Sequence, residues 1–229
     1  MKISRSTKRK VVFYVIFFSS IYLGYRNRYD LASWMRNQIG WHDPVDPRPE
    51  GMSKLEWAER NYSEEVLSLS KKYEVPYEYL MALIVLECGG DKPAGNRYES
   101  HIYSKLTKLK DSKIKRLEDL KPHHVAECNE NALKNLATSW GPFQLMGYKV
   151  VGMGLNISDI RHETTAIEIG VRWIEKEYGH FLKKKKFRDG FHYHNTGSRF
   201  PISGKSRTHD PYYVSNGLKY MKWYKARKK

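Results

Sequence analysis

A chain of 229 residues can hold one sizeable domain and an appendage, and it is too short for two full cores at roughly 100–200 residues each. Its 41 basic residues against 25 acidic ones give a formal charge of +16, which favours anionic partners: wall polymer, phospholipid or nucleic acid. The two cysteines, Cys88 and Cys128, permit one disulfide, and two free thiols fit the sequence equally well.

The chain opens with a basic end, MKISRSTKRK over residues 1–10, followed by the uncharged run VVFYVIFFSSIYLGY over 11–25 and then Arg26 and Arg28. So abrupt a switch predicts a membrane-targeting segment with its basic end in the cytoplasm and the bulk of the chain exported. The 15-residue run is short of the roughly 20 that cross a bilayer. No small-x-small cleavage site follows it. The expectation is therefore an inner-membrane anchor holding the rest in the periplasm or at the cell exterior, with a cleaved, secreted form as the alternative. Residues 26–60 read as a linker: NRYDLASWMRNQIGW suits a short interfacial helix, and HDPVDPRPEG is broken by its prolines.

From 61 to 225 the pattern is helical, with almost no sustained two-residue alternation, so the fold class is mainly α. A first helix is expected from an N-cap at Ser63, with Glu64 and Glu65 in its first turn and Val66, Leu69 and Tyr73 on one side. The next, VPYEYLMALIVLECGG, opens at Pro76 and stops at Gly89-Gly90. In it Leu80, Leu83, Ile84 and Glu87 stand at i, i+3, i+4 and i+7, placing the acid in an apolar stripe. Desolvation and the negative end of the helix dipole both raise the pKa of such a carboxyl. A glycosidase needs an acid kept protonated in this way to donate to a leaving sugar oxygen, which makes Glu87 the candidate general acid. Its alternative is a last-turn side chain bent into water.

NENALKNLA, from 129 to 137, reads as helix, and the chain then turns through Trp140, Gly141, Pro142, Phe143 and Gln144. Rings beside an amide suit sugars, whose faces stack while their hydroxyls hydrogen-bond. Equally, Trp140 and Phe143 suit a core, and Gln144 suits tying down a loop. A long core helix is expected through Ile167, Gly170, Val171, Ile174, Tyr178 and Phe181, followed by a loop carrying the polar cluster FHYHNTGS. The charge-rich stretches KLTKLKDSKIKRLEDLK and KKKKFR read as solvated faces.

With Glu87, SWGPFQLMG and YHNTG in this order, the chain resembles the lysozyme-like superfamily of peptidoglycan glycosidases, in the branch of goose-type lysozymes and soluble-type lytic transglycosylases. The matching elements are an acid at a helix end, a Gly-x-x-Gln-x-Met segment, a Tyr-Asn-x-Gly turn and a late Tyr-Val helix, here YYVSNGLKY. The middle is also similar to bacterial and phage N-acetylmuramidases of that superfamily, through ECGG, RYESHIYSKL and TSWGPFQLMG. The likeness spans about residues 61–224. It implies a lysozyme-like helical domain over 61–225 in which Glu87 is the acid/base. Gln144, with Phe143 and Met146, would hold the sugar, and Tyr193, His194 and Asn195 would line the cleft. Cys88 stands where the family carries a Ser, and Tyr193 and His194 both remain open as the aromatic of the turn. Glu99 is the one possible second acid, with a structural anchor as its other role.

With a single acid, Glu87 would protonate the glycosidic oxygen and then, as carboxylate, take the proton from the muramic acid 6-hydroxyl, closing a 1,6-anhydro ring. A hydrolytic muramidase with the same acid is the alternative, and a wall-binding protein without activity is the reading of another class. The expected partners are peptidoglycan glycan strands and, through the N-terminal segment, a membrane. Nucleic acid is not expected, because the charge is dispersed and no recognition signature is present. No cofactor or metal is expected either, since His123-His124 and His192-x-His194 lack a third ligand at a recognisable spacing.

Overall fold

The computed structural model describes residues 47–227. The expected anchor over 11–25 and the linker up to residue 46 lie outside the described residues. Those described form a mainly helical unit of nine α-helices, a single 3-10 turn at Pro122–His124, and a three-stranded antiparallel sheet. Among them no helix is long and apolar enough to cross a membrane.

Helix α1 spans Lys54–Tyr73 and starts nine residues before the expected N-cap. Its cap is Ser53, in a reciprocal box: the Glu56 N–H donates to Ser53 Oγ at 3.3 Å, and the Ser53 N–H donates to Glu56 Oε2 at 3.0 Å. Ser63 is therefore interior. The same S-x-x-E pattern was present at 53–56, hidden behind the prolines that precede it.

Helix α2, Tyr77–Cys88, ends as expected, with Gly89 in the left-handed region at φ 67°. Its burial differs from a stripe. Seven successive residues, Tyr79 to Val85, are 2% exposed or less, so the helix is apolar on every side and forms the axis of the main core. It packs against α1 on one side and the last helix, α9 (Tyr213–Arg227), on another. Gly90, at φ 85°, allows the α1 contact: a Cβ there would lie 2.7 Å from the Ala58 backbone nitrogen.

After α2 come β1 (Arg97–Tyr98), α3 (Ser100–Lys110), α4 (Glu130–Leu136), β2 (Thr138–Trp140) and β3 (Leu145–Met146). Arg97 lies opposite Ser139, and Ser139 lies opposite Met146. Strands of two or three residues are too short for alternation to register in the sequence. Leu106, Leu109, Leu120, Val125 and Leu133 form a second, smaller core under α3 and α4.

Short helices α5 (Gly147–Gly152) and α6 (Ile157–Ile160) lead into α7, Glu163–Lys183, whose expected stripe is buried throughout. Phe143 rests on α7 at Gly170, where an added Cβ would meet Phe143 Cδ2 at 2.4 Å. The polar cluster expected in a loop is the last turn of α8, Phe187–Thr196. Gly197, at φ 71°, stops that helix by donating its N–H to the Tyr193 carbonyl at 2.8 Å. Both cysteines are free thiols.

Candidate active site

Four elements bring side chains to the end of α2. Glu87 stands in its last turn, Tyr213 is the first residue of α9, His194 lies in the last turn of α8, and Arg97 comes from β1. The Tyr213 hydroxyl donates to Glu87 Oε1. His194 Nε2 is 3.8 Å from the same oxygen.

The Glu87 side chain is 16% exposed, enough for a ligand to reach and too little for full hydration. Burial pushes its carboxyl up from 4.5 to about 7, against the opposing effects of the Tyr213 hydrogen bond and the Arg97 charge. Near neutrality the group is thus divided between acid and carboxylate. Since Tyr213 occupies Oε1, Oε2 is the oxygen left to carry a proton outward.

His194 looks like an ion-pair partner by distance, but its hydrogen bonds show otherwise. Nε2 is 3.0 Å from the Phe143 carbonyl, which can only accept, so Nε2 carries the hydrogen. Nδ1 then accepts from the Tyr178 hydroxyl at 2.7 Å, and that oxygen accepts in turn from Tyr79 at 3.3 Å. Each group in the chain is satisfied with a neutral imidazole. Burial holds His194 in that form, lowering its pKa from 6.5 to about 3. The neighbour of Glu87 is therefore a fixed dipole with its proton committed elsewhere.

Gln144 has an uncommon backbone, at φ 46°, and its side chain is engaged by the protein. Its amide donates to the carbonyls of Gly141 at 3.0 Å and Gly95 at 3.2 Å, while Oε1 accepts from Ser139 at 2.8 Å. The Ser139 hydroxyl also lies 3.3 Å from the Arg97 carbonyl. These bonds hold the β2–β3 turn and the strand that carries Arg97. What remains of the amide toward a ligand is one lone pair of Oε1.

Phe143 is buried at 1% exposure and contributes its carbonyl to His194. Met146 is half-buried against the smaller core. Cys88 turns toward α1: its thiol contacts the carbonyls of Ile84 at 3.3 Å and Asp91 at 3.8 Å, and burial pushes it up to about 12. A thiol so placed is neutral and unreactive. Glu99 pairs with Arg97 at 2.6 Å and faces His101 at 3.5 Å. Asn195 is exposed. Tyr193 packs against Tyr178 and Phe181 and borders a cavity of about 210 Å³ with Trp173, Lys149, Tyr148 and Glu118.

Tyr213, Arg97, Tyr178 and Tyr79 were not among the expected site residues. The Tyr-Val pair of YYVSNGLKY was the one available signal, and it pointed at a helix and not at a hydroxyl bound to Glu87. Comparison of the chain with family models, with curated proteins and with solved structures gave no match.

Proposed function

We propose that the chain is a peptidoglycan glycosidase with a lysozyme-like helical domain, acting as a lytic transglycosylase on the β-1,4 bond between N-acetylmuramic acid and N-acetylglucosamine. The observation that carries this reading is the Glu87 carboxyl, reachable at the end of an apolar helix and held near pKa 7. In the proposed reaction Glu87 protonates the glycosidic oxygen from Oε2 while Tyr213 steadies Oε1. As carboxylate it then takes the proton of the muramic 6-hydroxyl, whose oxygen attacks C1 and closes the 1,6-anhydro ring. Tyr193, half-buried at the edge of its cavity, is the ring offered to a pyranose face, while Trp173 and Tyr148 beside it are buried.

A hydrolytic route would need a second carboxylate to serve as base or nucleophile. Glu99 is the nearest in kind, and its oxygens are occupied by Arg97 and His101, so the one-acid route is favoured. The export segment at 11–25 would place the enzyme on the outer side of the membrane, against the wall.

Mass spectrometry of peptidoglycan digested by the intact chain tests both levels. Anhydromuramic ends, lost with Glu87→Gln, are expected. Reducing ends alone would replace the lyase with a muramidase, and wall cleavage undiminished by Glu87→Gln would remove Glu87 as the acid. No cleavage by either protein would leave a wall-binding role.

A further inference from the structure

Ile202 is the most exposed of the large apolar side chains described, fully open to solvent between α8 and α9. It is the second residue of a tight turn closed by the Gly204 N–H on the Pro201 carbonyl at 3.0 Å. The segment carrying that turn is pinned to the helices beneath. His192, fully buried, faces the Ser198 carbonyl through Nδ1 at 2.8 Å and accepts the Arg207 N–H through Nε2 at 3.1 Å. The Phe200 N–H donates to Asp189 at 3.2 Å. An isoleucine held out on a fixed turn loses to water apolar area that a flexible loop could hide.

The surroundings of the turn are basic. Arg188 lies over the Phe200 ring at 4.1 Å and Arg199 over the Phe181 ring at 4.8 Å, so the 198–207 segment and the lysine run 183–186 share one region. Residues 183–189 and 198–207 contain eight basic side chains and one acid, Asp189. All eight are exposed. Elsewhere many cations are matched by acids, as Lys72 is by Glu168 and Lys92 by Glu65. Among the described residues Lys183 alone of the eight has an acidic partner, Glu175 at 3.3 Å.

A charge run by itself is a solvated face. An apolar tip standing among exposed cations is different, because it matches a surface that is anionic outside and apolar just beneath. Single-stranded nucleic acid would need open rings for stacking, and Phe200 and Phe181 are covered by the two arginines.

We propose that this face docks on an anionic lipid surface, with Ile202 entering the acyl boundary and the cations around it meeting headgroup phosphates. The contact is separate from the Glu87 chemistry and from any anchoring by residues 11–25. Docking here would turn the domain against the membrane by a second point.

Hydrogen exchange of the intact chain, read by mass spectrometry, locates the contact whether or not the N-terminal segment also binds. With phosphatidylcholine vesicles containing phosphatidylglycerol, the amides of 198–207 should exchange about fivefold more slowly than with phosphatidylcholine alone, a factor comparable to one basic residue near such a surface. The slowing should vanish in Ile202→Ser and in the triple variant Lys184→Glu, Lys185→Glu, Lys186→Glu. Exchange in α2 serves as the control for folding. Equal protection by the two vesicles, or protection that survives in either variant, would overturn the proposal. Protection by soluble polyphosphate as strong as by phosphatidylglycerol would overturn it too, in favour of an anionic polymer.

Discussion

The buried Glu87 should cost the fold stability in a way that depends on pH. In the unfolded chain its carboxyl titrates at the ordinary 4.5, in the folded chain at about 7. A raised acid pKa means that the unfolded state releases its proton first, so this contribution to stability is complete below 4.5 and is lost as pH rises through 7. At about 1.4 kcal/mol per unit, the folded chain forgoes about 3 kcal/mol at pH 8. Glu87→Gln keeps the shape and offers Tyr213 an amide oxygen without the charge. The variant should be more stable than its parent by up to about 3 kcal/mol at pH 8, a rise of roughly 6–12 °C in melting temperature for a chain of this size, and by under about 1 kcal/mol at pH 5. His194 acts in the other sense: its lowered pKa gives stability present above 6.5 and lost as pH falls toward 3. That contribution is common to both proteins and cancels in their difference. Thermal unfolding of the intact chain and the variant, followed by near-ultraviolet circular dichroism from pH 5 to 8.5, measures it. A difference that does not grow with pH, or a glutamine variant less stable at pH 8, would refute the claim that Glu87 is held protonated by desolvation.

Tyr213→Phe removes the hydrogen bond that lowers the Glu87 pKa, so the basic limb of wall-cleaving activity should move up by about one unit as the rate falls; a limb that stays in place would separate Tyr213 from the acid. Gly170→Ala should destabilise by about 1–3 kcal/mol in urea titrations, because its methyl would enter the Phe143 ring, and an unchanged midpoint would show that the ring can yield. Ser53→Ala should lower stability by about 1 kcal/mol through loss of the α1 cap, with activity per folded molecule unchanged. A cap worth nothing would mean that α1 is fixed by its packing on α2 and α7.

What the sequence disclosed and what it hid follow from range. Helix α2 was legible because proline, a continuous apolar run and a glycine pair act within a dozen residues. Its burial on every side was less so, since Tyr79 lies off the stripe that the spacing marks, and the rings that cover it, Tyr178 of α7 and Phe187 and Phe191 of α8, are about 100 residues away in the chain. The YHNTG turn read as loop because its polar residues dominate a short window, although the apolar side of α8 carries it as helix up to Gly197. Gln144 illustrates how much of a side chain's engagement is non-local. A lone amide among rings invites a ligand, and here three bonds also tie it to the protein, to Gly141 and Ser139 nearby and to Gly95 ahead of β1. No local pattern announces that Arg97 or Tyr213, ten residues after Glu87 in one case and 126 in the other, will share its surroundings.

The surroundings of Glu87 and His194 decide which of the two titrates near neutrality. Two titratable groups 3.8 Å apart usually share a charge, and a protonated histidine would draw the carboxyl down to an ordinary carboxylate. The arrangement prevents this by committing both imidazole nitrogens, Nε2 to a carbonyl and Nδ1 to the Tyr178 hydroxyl, before Glu87 is considered. With no cation available from that side, desolvation sets the carboxyl, and the nearby Arg97 is largely exposed, where water weakens its pull. The environments have thus driven the two pKa values apart, to about 7 and about 3, in the reverse of their solution order. Of the two, Glu87 is the group whose protonation changes near neutrality.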